Sequence, residues 1–258
     1  MKIKNDGKKF GVEIECLINY LPQDQHDGYH TDAQQKAAKQ VLADKMISKG
    51  LQCQVMVYNH QTYPFWKIVP DGSVHGSECP CEVVSPPLKG AEGYRQLKLV
   101  CEAIQECGGK VNVSCGLHVH INLKRSRSAD VARSGVARQQ LIVNELKNII
   151  LFYAKFERYG FDYLAPASRR NNGMCKSITT KAANLYDAIQ DGESYNNFTT
   201  PETAARNLFN NGRYWKVNCE CYVRYNTVEF RQAAGSIEFD KIANWIEIVQ
   251  AVVKRAYE

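Results

Sequence analysis

The stretch Phe10-Gly11-Val12-Glu13-Ile14-Glu15-Cys16 decides the fold. Phe10, Val12, Ile14 and Cys16 fall on one side of an extended chain; Gly11, Glu13 and Glu15 fall on the other. Successive side chains of a strand point to opposite faces, so this is a half-buried strand with an apolar and an acidic face. Two further stretches repeat the pattern. Leu117, Val119, Ile121 and Leu123 alternate with His118, His120 and Asn122, and within residues 222–232, read as a strand, Val228 and Phe230 alternate with Glu229 and Arg231. Each polar pair, at i and i+2, lies about 7 Å apart on one face. A core thus claims one face of these strands, and the other is left for chemistry.

Working outward, residues 51–58, 65–69, 82–85 and 214–218 read as further strands, and Pro70-Asp71-Gly72-Ser73 as a turn. Residues 31–49 read as a helix with Thr31 or Asp32 as N-cap and Gly50 as stop. Residues 90–109 carry a stripe of Tyr94, Leu97, Val100, Cys101 and Ile104 and stop at Gly108-Gly109. A long helix is expected over 134–159, a polar loop over 166–175, and short helices over 179–190 and 201–210. A closing amphipathic helix over 240–256 buries Ile242, Trp245, Ile246, Val249, Val252 and Val253. Strands and helices interspersed with short turns predict an α+β fold with helices backing one sheet, as a single domain over 1–258.

Composition narrows the function classes. The chain has 258 residues, is 44% hydrophobic and carries a formal charge of +6, enough apolar content for a sizeable core. Its basic residues are scattered except for Lys124, Arg125 and Arg127, so nucleic acid is not the expected partner. No run of apolar residues is long enough to span a bilayer, and the N-terminus lacks the hydrophobic region of a secretion signal. The expectation is a cytoplasmic protein whose ten cysteines are reduced thiols.

The polar faces point to a metal site. Two close glutamates repel, and burial raises their pKa unless a cation lies between them. A hard divalent ion with oxygen ligands relieves that repulsion, and a neutral imidazole can add a nitrogen. Carboxylates, imidazoles and a guanidinium on one sheet face describe a site for metal and polyphosphate. Glu82, in Glu82-Val83-Val84-Ser85-Pro86-Pro87, is a further candidate ligand; its structural alternative is the polar end of an edge strand. No glycine-rich phosphate loop occurs, so a nucleotide would be held through ions and arginines. The pairs Cys79-Pro80-Cys81 and Cys219-Glu220-Cys221 keep a zinc-stabilised binding module open as a rival, although the usual two-residue spacing within each pair is missing.

GVEIE (11–15), DGS (71–73), EVVSPPL (82–88), CGLHVHINL (115–123) and VEFR (228–231) together resemble the amidoligase family, a branch of the glutamine synthetase and γ-glutamylcysteine ligase superfamily. The resemblance implies a curved, mainly antiparallel β-sheet cradle like the glutamine synthetase catalytic domain. It implies a carboxylate-amine ligase that uses ATP and two or three Mg²⁺ ions, with Mn²⁺ as a substitute, and passes through an acyl phosphate. It implies that Glu15 and Glu82 hold the ion nearest the carboxylate substrate. Glu13, His118 and Glu229 hold the ion on the β- and γ-phosphates, His120 touches the phosphates, and Arg231 neutralises the transferring phosphoryl group. Ser73 and Ser85 are placed beside the nucleotide. Arg169 or Arg170 resembles the superfamily's additional arginine. Asp71 is the candidate base for the amine. The implied substrates are a carboxylate and an amine, whether small molecule, peptide or protein side chain. A guanidino-kinase-like phosphotransferase shares the cradle and stands as the alternative.

Overall fold

A computed structural model describes residues 8–24, 30–123, 135–179 and 213–256. The expected helix over 201–210, nearly all of that over 179–190, and the Lys124, Arg125 and Arg127 cluster lie outside these residues. The strands are β1 (Phe10–Ile18), β2 (Cys53–Val55), β3 (Trp66–Val69), β4 (Cys79–Val84), β5 (Gly116–Asn122), β6 (Val217–Asn218) and β7 (Thr227–Ala234). The main helices are α1 (Asp32–Ser48), α2 (Gly90–Glu106), α3 (Gly135–Phe156), α4 (Cys221–Tyr225) and α5 (Phe239–Arg255). The strands are ordered β2-β3-β4-β1-β5-β7-β6 in one sheet. β2 and β3 run parallel; β3–β4, β4–β1 and β7–β6 are antiparallel. The α+β class with a mostly antiparallel sheet is therefore as the alternation predicts.

The chain divides into two compact units, Met1–His118 with Ala234–Ile246, and Val119–Ala233 with Glu247–Glu258. The first boundary falls inside β5. In unit one, the apolar side chains of β1 behave as the pattern requires: Phe10, Val12, Ile14 and Cys16 are buried. The register sets Glu15 opposite Glu82 and Glu13 opposite Val84. Thr31 caps α1 in a reciprocal box with Gln34, which satisfies two otherwise orphaned N–H groups. α2 buries the predicted stripe, and Gly108, at φ 68°, takes the left-handed conformation that stops it.

In unit two, α3 gives way to a wide π-type turn, Glu157–Phe161, where the sequence reads uninterrupted helix to residue 159. The turn carries Glu157 inward. Lys216, fully buried, donates to Glu157 Oε1 and Asp162 Oδ1, both at 2.7 Å. Glu157 Oε2 accepts from the Ile178 and Thr179 side of the next segment. Gln232 of β7 donates to Asp162 and accepts from Tyr153, both at 2.5 Å. Burial holds the Tyr153 hydroxyl pKa well above its usual value, so it remains a donor. A buried ammonium flanked by two carboxylates is destabilising to break, because each survivor loses its counter-charge. Lys216→Met is expected to destabilise the chain by about 3–5 kcal/mol, read as a fall in the urea midpoint at unchanged m-value. A fall no larger than that of an exposed lysine variant contradicts this reading.

The strand read over 222–232 begins later. Cys221–Tyr225 is a helical turn closed by Asn226 at φ 55°. Asparagine tolerates that left-handed state better than other residues with a β-carbon. The strand then starts at Thr227, and Val228 to Gln232 are buried on both faces, so the polar face here is enclosed rather than solvated.

Candidate active site

In unit one the structure gathers Glu13, Glu15, Asp71, Glu82 and His118. Their ligand atoms form two groups, Glu13–Glu82–His118 and Glu15–Asp71–Glu82, each with its donor atoms within 4.8 Å of one another. Strand geometry explains most of it. Glu13 and Glu15 share a face of β1, and Glu82 is the direct partner of Glu15 on β4. His118, on β5, sets Nδ1 3.0 Å from Glu13 Oε2 and Nε2 3.3 Å from Glu15 Oε1. The Gly116 N–H donates to Glu15 Oε2 at 2.5 Å. Asp71 comes from the turn after β3, where its Oδ1 accepts from the Ser73 N–H and hydroxyl at 2.7 and 2.6 Å.

Glu82 belongs to both groups and shows the strain of the arrangement. Burial pushes its carboxyl well above the usual carboxylate range, and the charges of Glu13, Glu15 and Asp71 push it further, with a hydrogen bond to Glu13. A proton relieves such crowding at one oxygen; a divalent cation relieves it at all of them. The donor set is oxygen-rich with one imidazole, which fits Mg²⁺ or Mn²⁺. Asp71 brings a carboxylate oxygen within 4.8 Å of those of Glu15 and Glu82.

Both serines make hydrogen bonds within unit one. Ser73 braces Asp71, and Ser85 Oγ accepts the Val12 N–H at 2.8 Å, continuing the β1–β4 edge.

Unit two holds a second polar arrangement. Glu229 Oε1 accepts from Arg231 Nη1 at 2.6 Å, and Oε2 accepts from Asn218 Nδ2 at 2.7 Å and Cys221 Sγ at 3.2 Å. Asn218 is opposite Glu229 in the β6–β7 register, so the pair follows from strand pairing. Arg231 also lies over the Tyr214 ring. Arg169 is 4% exposed and donates through Nη2 to the Arg231 carbonyl, while its Nε has no hydrogen-bond partner among the described residues. Arg169 thus holds the backbone of Arg231. Arg170 donates instead to the Ala165 carbonyl. His120 Nδ1 lies 3.3 Å from Thr227 Oγ1, with the ring edge-on to Tyr225.

Asn218 and Cys221 are site neighbours that sequence reading missed. The strand over 214–218 that holds Asn218 was legible, but its pairing opposite Glu229 was not. Cys221 was not, because its reach depends on the α4 turn. Among the described residues, no group of three or more clustered metal-ligand atoms includes a cysteine. Cys16 and Cys81 instead face each other across β1 and β4 with sulfurs 3.6 Å apart. No helix among the described residues is long and apolar enough to cross a membrane.

A family model described as "Putative amidoligase enzyme" matches residues 6–253. No protein with a curated description matches the sequence. Among solved structures, the bifunctional glutathione synthetase of Pasteurella multocida is 13% identical with a TM-score of 0.38, and the match covers 97% of this chain and 40% of that one. A Plasmodium falciparum glutamine synthetase is 11% identical with a TM-score of 0.45, covering 97% of this chain and 52% of that one. The chain thus spans about half or less of the length of either.

Proposed function

The chain belongs to the amidoligase family, and from that premise we propose that it is an ATP- and Mg²⁺-dependent ligase that joins a carboxylate to an amine. The observation that carries the reading is the carboxylate cluster of unit one, with Glu82 shared between two groups of ligand atoms. Four carboxylates with one imidazole are unfavourable together unless cations are part of the working state. Glu13, Glu82 and His118 would hold one divalent ion, and Glu15, Asp71 and Glu82 another. Bound there, such ions supply positive charge to phosphoryl oxygens.

The reaction proposed is attack of the substrate carboxylate on the γ-phosphorus of ATP, with ADP leaving. An acyl phosphate forms, the amine attacks its carbonyl carbon, and inorganic phosphate departs as the amide bond closes. A carboxylate needs this activation because its own leaving group would be oxide. Arg231 offers N–H donors to phosphoryl oxygens as their charge redistributes. Glu229 and Arg169 keep its side chain and backbone in place. His120 is proposed to contact the phosphates.

The expected nucleotide product is ADP with free phosphate, formed only when both a carboxylate and an amine are supplied. The measurement is chromatography of nucleotides after incubation with Mg²⁺-ATP and paired panels of amino acids, peptides and polyamines. Stoichiometric AMP would overturn the acyl-phosphate route. A stable phosphorylated product without amine would turn the reading to a guanidino-kinase-like phosphotransferase.

A further inference from the structure

Lys67 is the one residue of β3 whose charge the sequence reading passes over. It lies between Trp66 and Ile68 and is 5% exposed. The register places it opposite Val84, which is in turn opposite Glu13; one row further, Val69 is opposite Glu82 and Glu82 opposite Glu15. Directly opposed residues share a face, so Lys67 stands on the carboxylate face, two strands and about 10 Å from Glu13.

The connection from β2 to β3, residues 56–65, explains why the lysine stays there. β2 and β3 are parallel neighbours, and such strands need a connection that crosses over. Lys67 Nζ donates to the Asn59 carbonyl at 2.8 Å, the Asn59 side-chain oxygen at 3.2 Å and the Gln61 carbonyl at 3.0 Å. An ammonium has three donors, and these oxygens occupy all three. They hold the charge in place without cancelling it. Burial works against that charge, while Glu82 and Glu13 favour it.

We infer that Lys67 is a fixed counter-charge for the Glu13, Glu15, Asp71 and Glu82 cluster, positioned by the 56–65 connection, and that it sets how tightly the cluster takes a divalent cation. This rests on the ion-binding reading proposed above. With the lysine in place the cluster takes a bare ion weakly and relies on further oxygens from a nucleotide.

The test is Mn²⁺ binding to the full chain, followed by the electron paramagnetic resonance signal of free Mn²⁺. Lys67→Gln keeps an amide donor for the loop carbonyls and removes the charge; it is expected to bind Mn²⁺ about tenfold more tightly. Lys67→Arg keeps the charge and is expected to bind like the parent. Val84→Lys adds a cation between Lys67 and Glu13 and is expected to weaken binding about tenfold, which keeps the test alive if the glutamine variant fails to fold. A lysine that only ties down the loop predicts unchanged or weaker binding in Lys67→Gln, and that result, or an unaffected Val84→Lys, overturns the inference. If the parent chain and all three variants bind no Mn²⁺ at all, the ion reading itself fails, and the inference with it.

Discussion

Glu82→Gln is expected to abolish turnover and to weaken Mn²⁺ binding on the order of 10²-fold, while raising the Tm of the metal-free protein. Glu82 is the only residue common to both groups of ligand atoms in unit one. In the proposed site its removal therefore takes a charged oxygen from both ions at once. The gain in stability follows from its titration. Burial and its acidic neighbours raise its folded-state pKa above the unfolded value. The folded protein then holds a proton that the unfolded chain has lost. By linkage, stability is fully present below the unfolded pKa and falls as pH rises towards the folded pKa. The parent protein in a chelator should therefore lose Tm between roughly pH 4 and the raised folded pKa. Glu82→Gln should lack that share of the loss. Thermal melts across pH with EDTA, and again with Mn²⁺, check both halves. A variant that keeps near-parental Mn²⁺ affinity would remove Glu82 from the ion site. One whose pH slope matches the parent would reject the titration argument.

The second large effect concerns Arg231. Arg231→Lys keeps a positive charge but loses the planar fork that reaches Glu229 and, in the proposed reaction, a phosphoryl oxygen together. We expect kcat to fall on the order of 10²-fold, with a smaller change in the KM for ATP, because an arginine aids most where charge redistributes in the transition state. The structure adds that the Arg231–Glu229 pair is buried and that Glu229 is further held by Asn218 and Cys221. A modest drop in Tm should accompany the kinetic loss, since a lysine reaches Glu229 less well. The same environment makes Glu229→Gln a poor probe of catalysis alone: it leaves Arg231 buried without its counter-charge, and such losses destabilise. Parental kcat combined with a lowered Tm in Arg231→Lys would leave Arg231 with a purely structural role.

How much of this was legible in the sequence follows from the range of the forces involved. Period-two alternation in β1, β5 and β7 named Glu13, Glu15, His118 and Glu229 as residues of polar strand faces, because a strand's own geometry orients its side chains. Capping and stop signals located α1 and α2 to within a few residues for the same local reason. The interruption at residues 221–226 was missed, since an apolar-polar alternation over a few residues fits a helical turn as well as a strand end. The inward turn at Glu157 was missed too. Its carboxylate is buried only because Lys216, far along the chain, supplies a compensating charge.

Sequence alone therefore determined the class of fold, the chemistry of the polar strand faces and the family to which they belong, since all three depend on residue order within single strands and on motifs in series. Tertiary structure alone decided which carboxylates meet. Glu15 faces Glu82 through strand register, Asp71 arrives from a turn braced by Ser73, and Lys67 is held on the same face by a connection that crosses over. Register and crossover are set by pairing between segments distant in sequence. The energy that fixes them, the burial of apolar faces and the matching of charges across strands, has no counterpart in any one segment.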